Sequence, residues 1–230
     1  MSIRVIAAAV ITAAAMTIAM CGTAVAATSP AARPAVQLTG VQLLSALLPQ
    51  SDFPAGYKLG KPDVYDSGRY LENSPAKYHL STMPCGSFAR TLGSPGFGET
   101  AIALDNFEKD KFTREYFQQA YQFKTRSTAT TFFEGVFAVA HRCPSFILFN
   151  VSDVHTHVFD ASPIGGHRTF QVNQSAFLQG HVRIAVDIVI TVAGTDVFST
   201  ANFGVSVAPP SSPSARTSML RLVTRVEAFR

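Results

Sequence analysis

Residues 182–193 alternate strictly. Val182, Ile184, Val186, Ile188, Ile190 and Val192 fall on one side, and Arg183, Asp187 and Thr191 on the other. A period of two sends successive side chains to opposite faces of a strand. The stretch is therefore expected as a half-buried antiparallel strand, with Asp187 on its wet side. Gly194 turns the chain into a partner strand over 196–205, which makes a hairpin. Residues 127–142 keep a different period. Phe132, Phe133, Val136, Phe137, Ala140 and Cys143 recur at steps of three and four, which predicts a helix that Pro144 ends.

The remaining elements read less sharply. Residues 41–48 form a short apolar helix stopped by Pro49, and Asp52-Phe53-Pro54-Ala55-Gly56-Tyr57 is a turn. Residues 61–82 are polar and poorly periodic and are expected to be mostly loop. Cys85 enters a brief helix that ends near Gly93, and Ser94-Pro95-Gly96 turns the chain. Strands are expected at 99–107, 114–124, 145–153 and 169–178, with Gly165-Gly166 as a turn. Pro209 to Ser214 reads as a loop. Ser212 caps a closing helix with Pro213 in its first turn. Its stripe is Met219, Leu222, Val223, Val226 and Phe229, with Arg221 and Arg225 on the wet side. Strands flanked by helices at start, middle and end predict an α+β domain, an antiparallel sheet packed against a few helices.

The first residues have another purpose. Arg4 precedes an apolar run over 5–20, and Ala24-Val25-Ala26-Ala27 places small residues at a cleavage position. This is the layout of a signal peptide, residues 1–27, too short and too Ala-rich for a membrane span. Residues 28–40, with Pro30 and Pro34, read as a flexible leader, and 41–230 as the folded domain. The mature chain, roughly 200 residues long, suits one domain with a sizeable core, and no transmembrane span is expected in it. A competing reading makes Ile18-Ala19-Met20-Cys21-Gly22 a lipobox, which would anchor the protein through a lipid on Cys21. In both readings Cys21 leaves the disulfide count. Of the three cysteines, Cys85 and Cys143 remain for an oxidising compartment, where they are expected to pair.

Composition narrows the chemistry. The net charge is +4 with scattered Lys and Arg, so no nucleic-acid footprint is indicated. Eighteen Phe and six Tyr, with no Trp, argue for a real core. There is no G-x-S-x-G nucleophile elbow, no glycine-rich phosphate loop and no diagnostic carboxylate pair. His155-Thr156-His157 puts two imidazoles on one strand face near Asp153 and Asp160, with His167 and His181 further on. Zinc needs three or four ligands in defined geometry, and exposed histidines without metal are the plainer expectation. No cofactor is implied and no catalytic residue is assigned.

The layout resembles the extracellular sensor domain of the mycobacterial serine/threonine kinase PknH and of many actinobacterial secreted proteins and lipoproteins. The matching residues are Leu43-Leu44-Ser45-Ala46-Leu47-Leu48-Pro49, Asp52-Phe53-Pro54-Ala55-Gly56-Tyr57 and the Cys85-x-x-Phe88 entry to a short helix. The aromatic strand before the helix ending in Cys143 matches as well, as do Pro163-Ile164-Gly165-Gly166, the long hairpin and the basic closing helix. Members of that family typically carry two disulfides and a Trp before the helix cysteine, whereas this chain can form one disulfide and has Ala140 or a neighbour there. The resemblance implies a non-enzymatic, secreted sensor or ligand-binding domain with a central groove and an unknown small or apolar ligand. Two alternatives remain at this stage: an exported hydrolase with an unrecognised site, and an envelope protein-interaction module.

Overall fold

A computed structural model describes residues 36–53, 55–66, 78–91, 95–109, 114–148, 151–178, 182–205 and 212–230. The signal peptide, Cys21, most of the leader, Pro54, His181 and the loop beginning at Pro209 lie outside the described residues. The elements are α1 (Gly40–Ala46), β1 (Lys58–Leu59), β2 (Asp63–Asp66), α2 (Cys85–Thr91), β3 (Glu99–Lys109) and β4 (Arg114–Phe123). They continue with α3 (Arg126–Arg142), β5 (Ser145–Leu148), β6 (Val151–Ile164), β7 (His167–Leu178), β8 (Val182–Ala193), β9 (Asp196–Val205) and α4 (Ser212–Ala228).

The strands build one nine-stranded sheet in the order β1-β3-β4-β9-β8-β7-β6-β5, with β2 also on β3. Every pairing is antiparallel. Helices cover both faces. α1 and α4 pack on Ala101, Ala103, Ala120, Val189 and Phe198. α2 and α3 pack on the other face, over Ile102, Tyr121, Phe123, Phe170 and Ile190. This is the expected antiparallel sheet with helices, a single folded unit over Ala35–Arg230. Among the described residues no helix is long and apolar enough to cross a membrane.

The two-sided cover corrects one expectation. Asp187 and Thr191 are not on a wet face but are 3% and 0% exposed. The alternation in β8 separates two buried faces, and the one under α4 mixes Asp187 and Thr191 with the apolar Val189 and Ala193. Three further differences concern the loops. Residues 61–82 include β2, a short edge strand with all four residues half-buried. Its hold is main-chain pairing to β3 rather than burial, so periodicity does not show it. The strand expected over 145–153 is two strands, β5 and β6, paired antiparallel through Ser145–His155 and Phe146–Val154. The folded unit also takes in residues 36–40, which the sequence placed in the leader.

The reason for that last difference is specific. Thr39 caps α1 and Gln42 bonds back to the Thr39 N–H, a complete capping box. Two buried glutamines of β4 then hold the two ends of α1. Gln122 Oε1 accepts from the Leu38 N–H at 2.7 Å, and its Nε2 donates to the Leu38 carbonyl at 2.7 Å. Gln118 does the same for Leu48, at 3.0 and 2.7 Å. Each side-chain amide replaces the partners that a neighbouring strand would supply to buried backbone. Gly40 lets α1 approach β2, because a Cβ there would meet Val64 and Asp66 at 2.6 Å.

Candidate functional site

The disulfide organises the α2–α3 face. Cys143 caps the C-terminus of α3, its N–H bonded to the Val139 carbonyl at 3.0 Å. It is joined to Cys85, the first residue of α2, with a Cα separation of 5.6 Å. Arg142 ties down the chain just before α2, donating to the carbonyls of Ser81 at 2.7 Å, Met83 at 2.8 Å and Leu80 at 3.3 Å.

Beside this staple a cavity of about 220 Å³ opens between the helices and the sheet. Val136, Ala140 and Cys143 of α3 form its roof with Phe88 of α2 and Phe146 of β5. The floor comes from two registered rows. Gln119, Ser199 and Ile190 lie side by side, and so do Phe117, Ala201, Ile188 and Val172. Gln174 and Thr156 close one end. The local sequence explains the space. β9 presents Ser199 and Ala201 to this face, and the α3 turn above presents Ala140. Small residues on both sides leave unfilled volume where facing large side chains would interdigitate.

Among the described residues the pocket lining is uncharged. Its polar groups are two amides and two hydroxyls. Gln119 Oε1 accepts from the Tyr121 hydroxyl at 3.0 Å, and Gln174 Nε2 reaches the Thr156 hydroxyl at 3.5 Å. Cys143 brings a sulfur to the lining, and that sulfur is committed to the disulfide. The described lining therefore offers shape, apolar contact and neutral hydrogen bonds.

The histidines singled out from sequence lie elsewhere. His155 and His157 are exposed on β6 and pair in register with Ser175 and Asn173. They therefore share the α4 face of the sheet and point away from the pocket. The His157 ring stands edge-on to Phe159 at 4.7 Å. Asp160 is exposed on the other side of the strand, and His167 pairs with Glu227 at 3.1 Å. For Asp153 only the backbone is described. Among the described residues, no group of three or more His, Cys, Asp or Glu is arranged to hold a metal ion.

Under α4 lies a second feature, which the alternation pattern assigned to solvent. Tyr116, Asn202 and Asp187 share one registered row, and Asp105, Gln118 and Thr200 the next. All six are buried. Asp187 accepts from Gln171 Nε2 at 2.7 Å. Burial pushes the Tyr116 phenol well above its usual range, although the Ser218 and Thr200 hydroxyls and the Arg221 charge oppose this. Burial also raises the Asp105 carboxyl to about 6, with only the Asn106 N–H opposing it. At the far end, burial raises Asp196 to about 6 despite its 2.6 Å pair with Arg230.

No known family pattern matches the chain, and no curated protein is similar to it. Solved structures are. The extracellular domain of PknH from Mycobacterium tuberculosis superposes with a TM-score of 0.58 at 17% identity, over 83% of this chain and 97% of that one. An uncharacterised protein from Mycobacterium smegmatis superposes with a TM-score of 0.46 at 12% identity, over 80% and 95% of the two chains. At such identity the likeness concerns architecture. The chain has the fold of the PknH extracellular domain.

Proposed function

We propose that this protein is an exported, non-enzymatic sensor-like domain that binds an apolar ligand in the pocket between α3 and the sheet. The observation that carries this reading is the void itself. The cavity is partly open; sealed from solvent, a void of 220 Å³ would cost at most on the order of 5 kcal/mol in lost packing, at about 24 cal/mol per Å³. That is comparable to the whole net stability of a small domain. A domain selected for stability alone would carry larger aliphatics at Ser199, Ala201 and Ala140. The lining has the composition of a binding pocket, apolar walls with a few placed polar groups. Its lack of titratable side chains argues for binding over hydrolysis. The shared fold with an extracellular domain supports the same reading, as do the signal-peptide pattern and the disulfide.

The test uses protein purified from culture supernatant. Native mass spectrometry is expected to show an N-terminus after Ala26 or Ala27, the mass loss of one disulfide and a bound small molecule. The purified protein should also enhance the fluorescence of an apolar naphthalene dye, and Ala201→Phe should remove that signal with the fold intact by circular dichroism. A wild-type protein that carries no ligand and binds no apolar dye refutes the proposal.

A further inference from the structure

The pocket floor does not stop at the cavity. On the same face of the sheet, Ile188, Val186 and Ile184 follow one another along β8, and Ala201, Phe203 and Val205 run beside them on β9. All six are half-buried. Val186 stands in register with Gln174, which closes one end of the cavity. From Ile190 to Ile184 the apolar row extends about 20 Å at the rise of a strand, while its two-strand width is only about 5 Å. The cavity, about 220 Å³ and partly open, holds roughly seven groups the size of a water molecule or a methylene. A site that is long, narrow and deep at one end fits a chain better than a ring system.

Charge narrows the ligand further. Among the described residues neither the cavity lining nor the row along β8 and β9 contains a charged side chain, and a charged group in register with that row is an acid, Glu115 beside Phe203. An anionic head group drawn into this space would lose hydration and meet Glu115 rather than a counter-ion, and a cationic one would find a counter-ion at Glu115 only outside the cavity. The amides of Gln119 and Gln174 and the hydroxyls of Ser199 and Thr156 can satisfy an ester, amide or alcohol.

Building on the ligand-binding reading above, we propose that the ligand is an uncharged single-chain lipid. The end of its alkyl or acyl chain fills the cavity under Ala140, and the rest lies along β8. Compact apolar molecules and ionic amphiphiles fit the site less well.

The experiment is a homologous series of 1-alkanols from butanol to decanol, titrated by calorimetry into the intact mature protein. Decanoate, decyltrimethylammonium and naphthalene are run beside it. Affinity is expected to rise about fourfold with each methylene until the cavity is full. Decanoate should bind at least about tenfold more weakly than decanol, and decyltrimethylammonium less weakly than decanoate because Glu115 stands beside Phe203. Ala201→Phe should abolish alkanol binding, and Ser199→Leu provides a second block if the first variant does not fold. If naphthalene binds while the alkanols show no gain with length, the lipid assignment is wrong and the ligand-binding reading stands. If neither naphthalene nor any alkanol binds, both are wrong.

Discussion

Replacing Gln118 by Leu tests how this sheet holds its N-terminal helix. Gln118 is fully buried on the α1/α4 face. A count of apolar area alone makes the change favourable, since burying a Leu side chain contributes about 1.5–3 kcal/mol. The hydrogen bonds predict the opposite sign. Leu48 is only 2% exposed, and both its N–H and its carbonyl are served by the Gln118 amide, at 3.0 and 2.7 Å. Removing that amide strands two buried backbone groups, at about 1–3 kcal/mol each. Set against the apolar gain, the net at the middle of both ranges is a loss of about 2 kcal/mol. Urea unfolding followed by circular dichroism reads it as a lower midpoint at unchanged slope. Hydrogen exchange supplies an independent check, because the Leu48 amide should lose protection. Gln118→Glu adds a pH signature. Its carboxylate accepts from the Leu48 N–H but offers nothing to the Leu48 carbonyl until acid protonates it, so the deficit should shrink at low pH. A Gln118→Leu protein at least as stable as wild type, with Leu48 still protected, would refute the reasoning.

Two other perturbations probe the staple and the polar face. Reducing Cys85–Cys143, or making Cys143→Ser, opens a loop spanning 58 residues and should cost about 4 kcal/mol by chain entropy. Because Cys143 and Phe88 both line the pocket, the same change should weaken dye or alkanol binding, and calorimetry on oxidised and reduced protein measures this. Asp105→Asn addresses pH. The Asp105 pKa is raised from 3.8 to about 6 in the folded protein, so the folded state holds its proton more tightly than the unfolded state does. Its contribution to stability is therefore greatest below about pH 4 and is lost as pH rises through about 6. Relative to wild type, Asp105→Asn should gain about 2–3 kcal/mol at pH 7 and little at pH 4. Urea midpoints at the two pH values decide it, and an equal effect at both would count against the buried carboxyl.

Much of this fold was legible from residue order. The periods of β8 and α3 located both elements within a residue or two, and Gly194 placed the turn between β8 and β9. The exported layout picked out Cys85 and Cys143, which the structure joins. The capping box at Thr39 and Gln42 was also written in the sequence and would have moved the start of the folded unit ahead of residue 41. The candidate site was legible only in part. Periodicity marked Val136 and Ala140 as one face of a helix and Ile188 and Ile190 as one face of a strand. It did not show that Ser199 and Ala201 of another strand would lie opposite Ala140.

The division has a physical cause. Secondary-structure periods are local properties of the backbone, so alternation and three-four spacing determine which residues share a face. What covers a face depends on elements far away in the chain. The sequence of β8 separates Asp187 from Ile188, but α4, which begins only at Ser212, makes Asp187 buried. Likewise, Gln118 and Gln122 read as polar strand positions until α1 is docked on them. The sequence by itself determined the longer strands and helices and the cysteine pair. Tertiary structure alone decided that both sheet faces are covered, one by an apolar core with buried polar rows and one by an apolar core that leaves a cavity where small side chains meet.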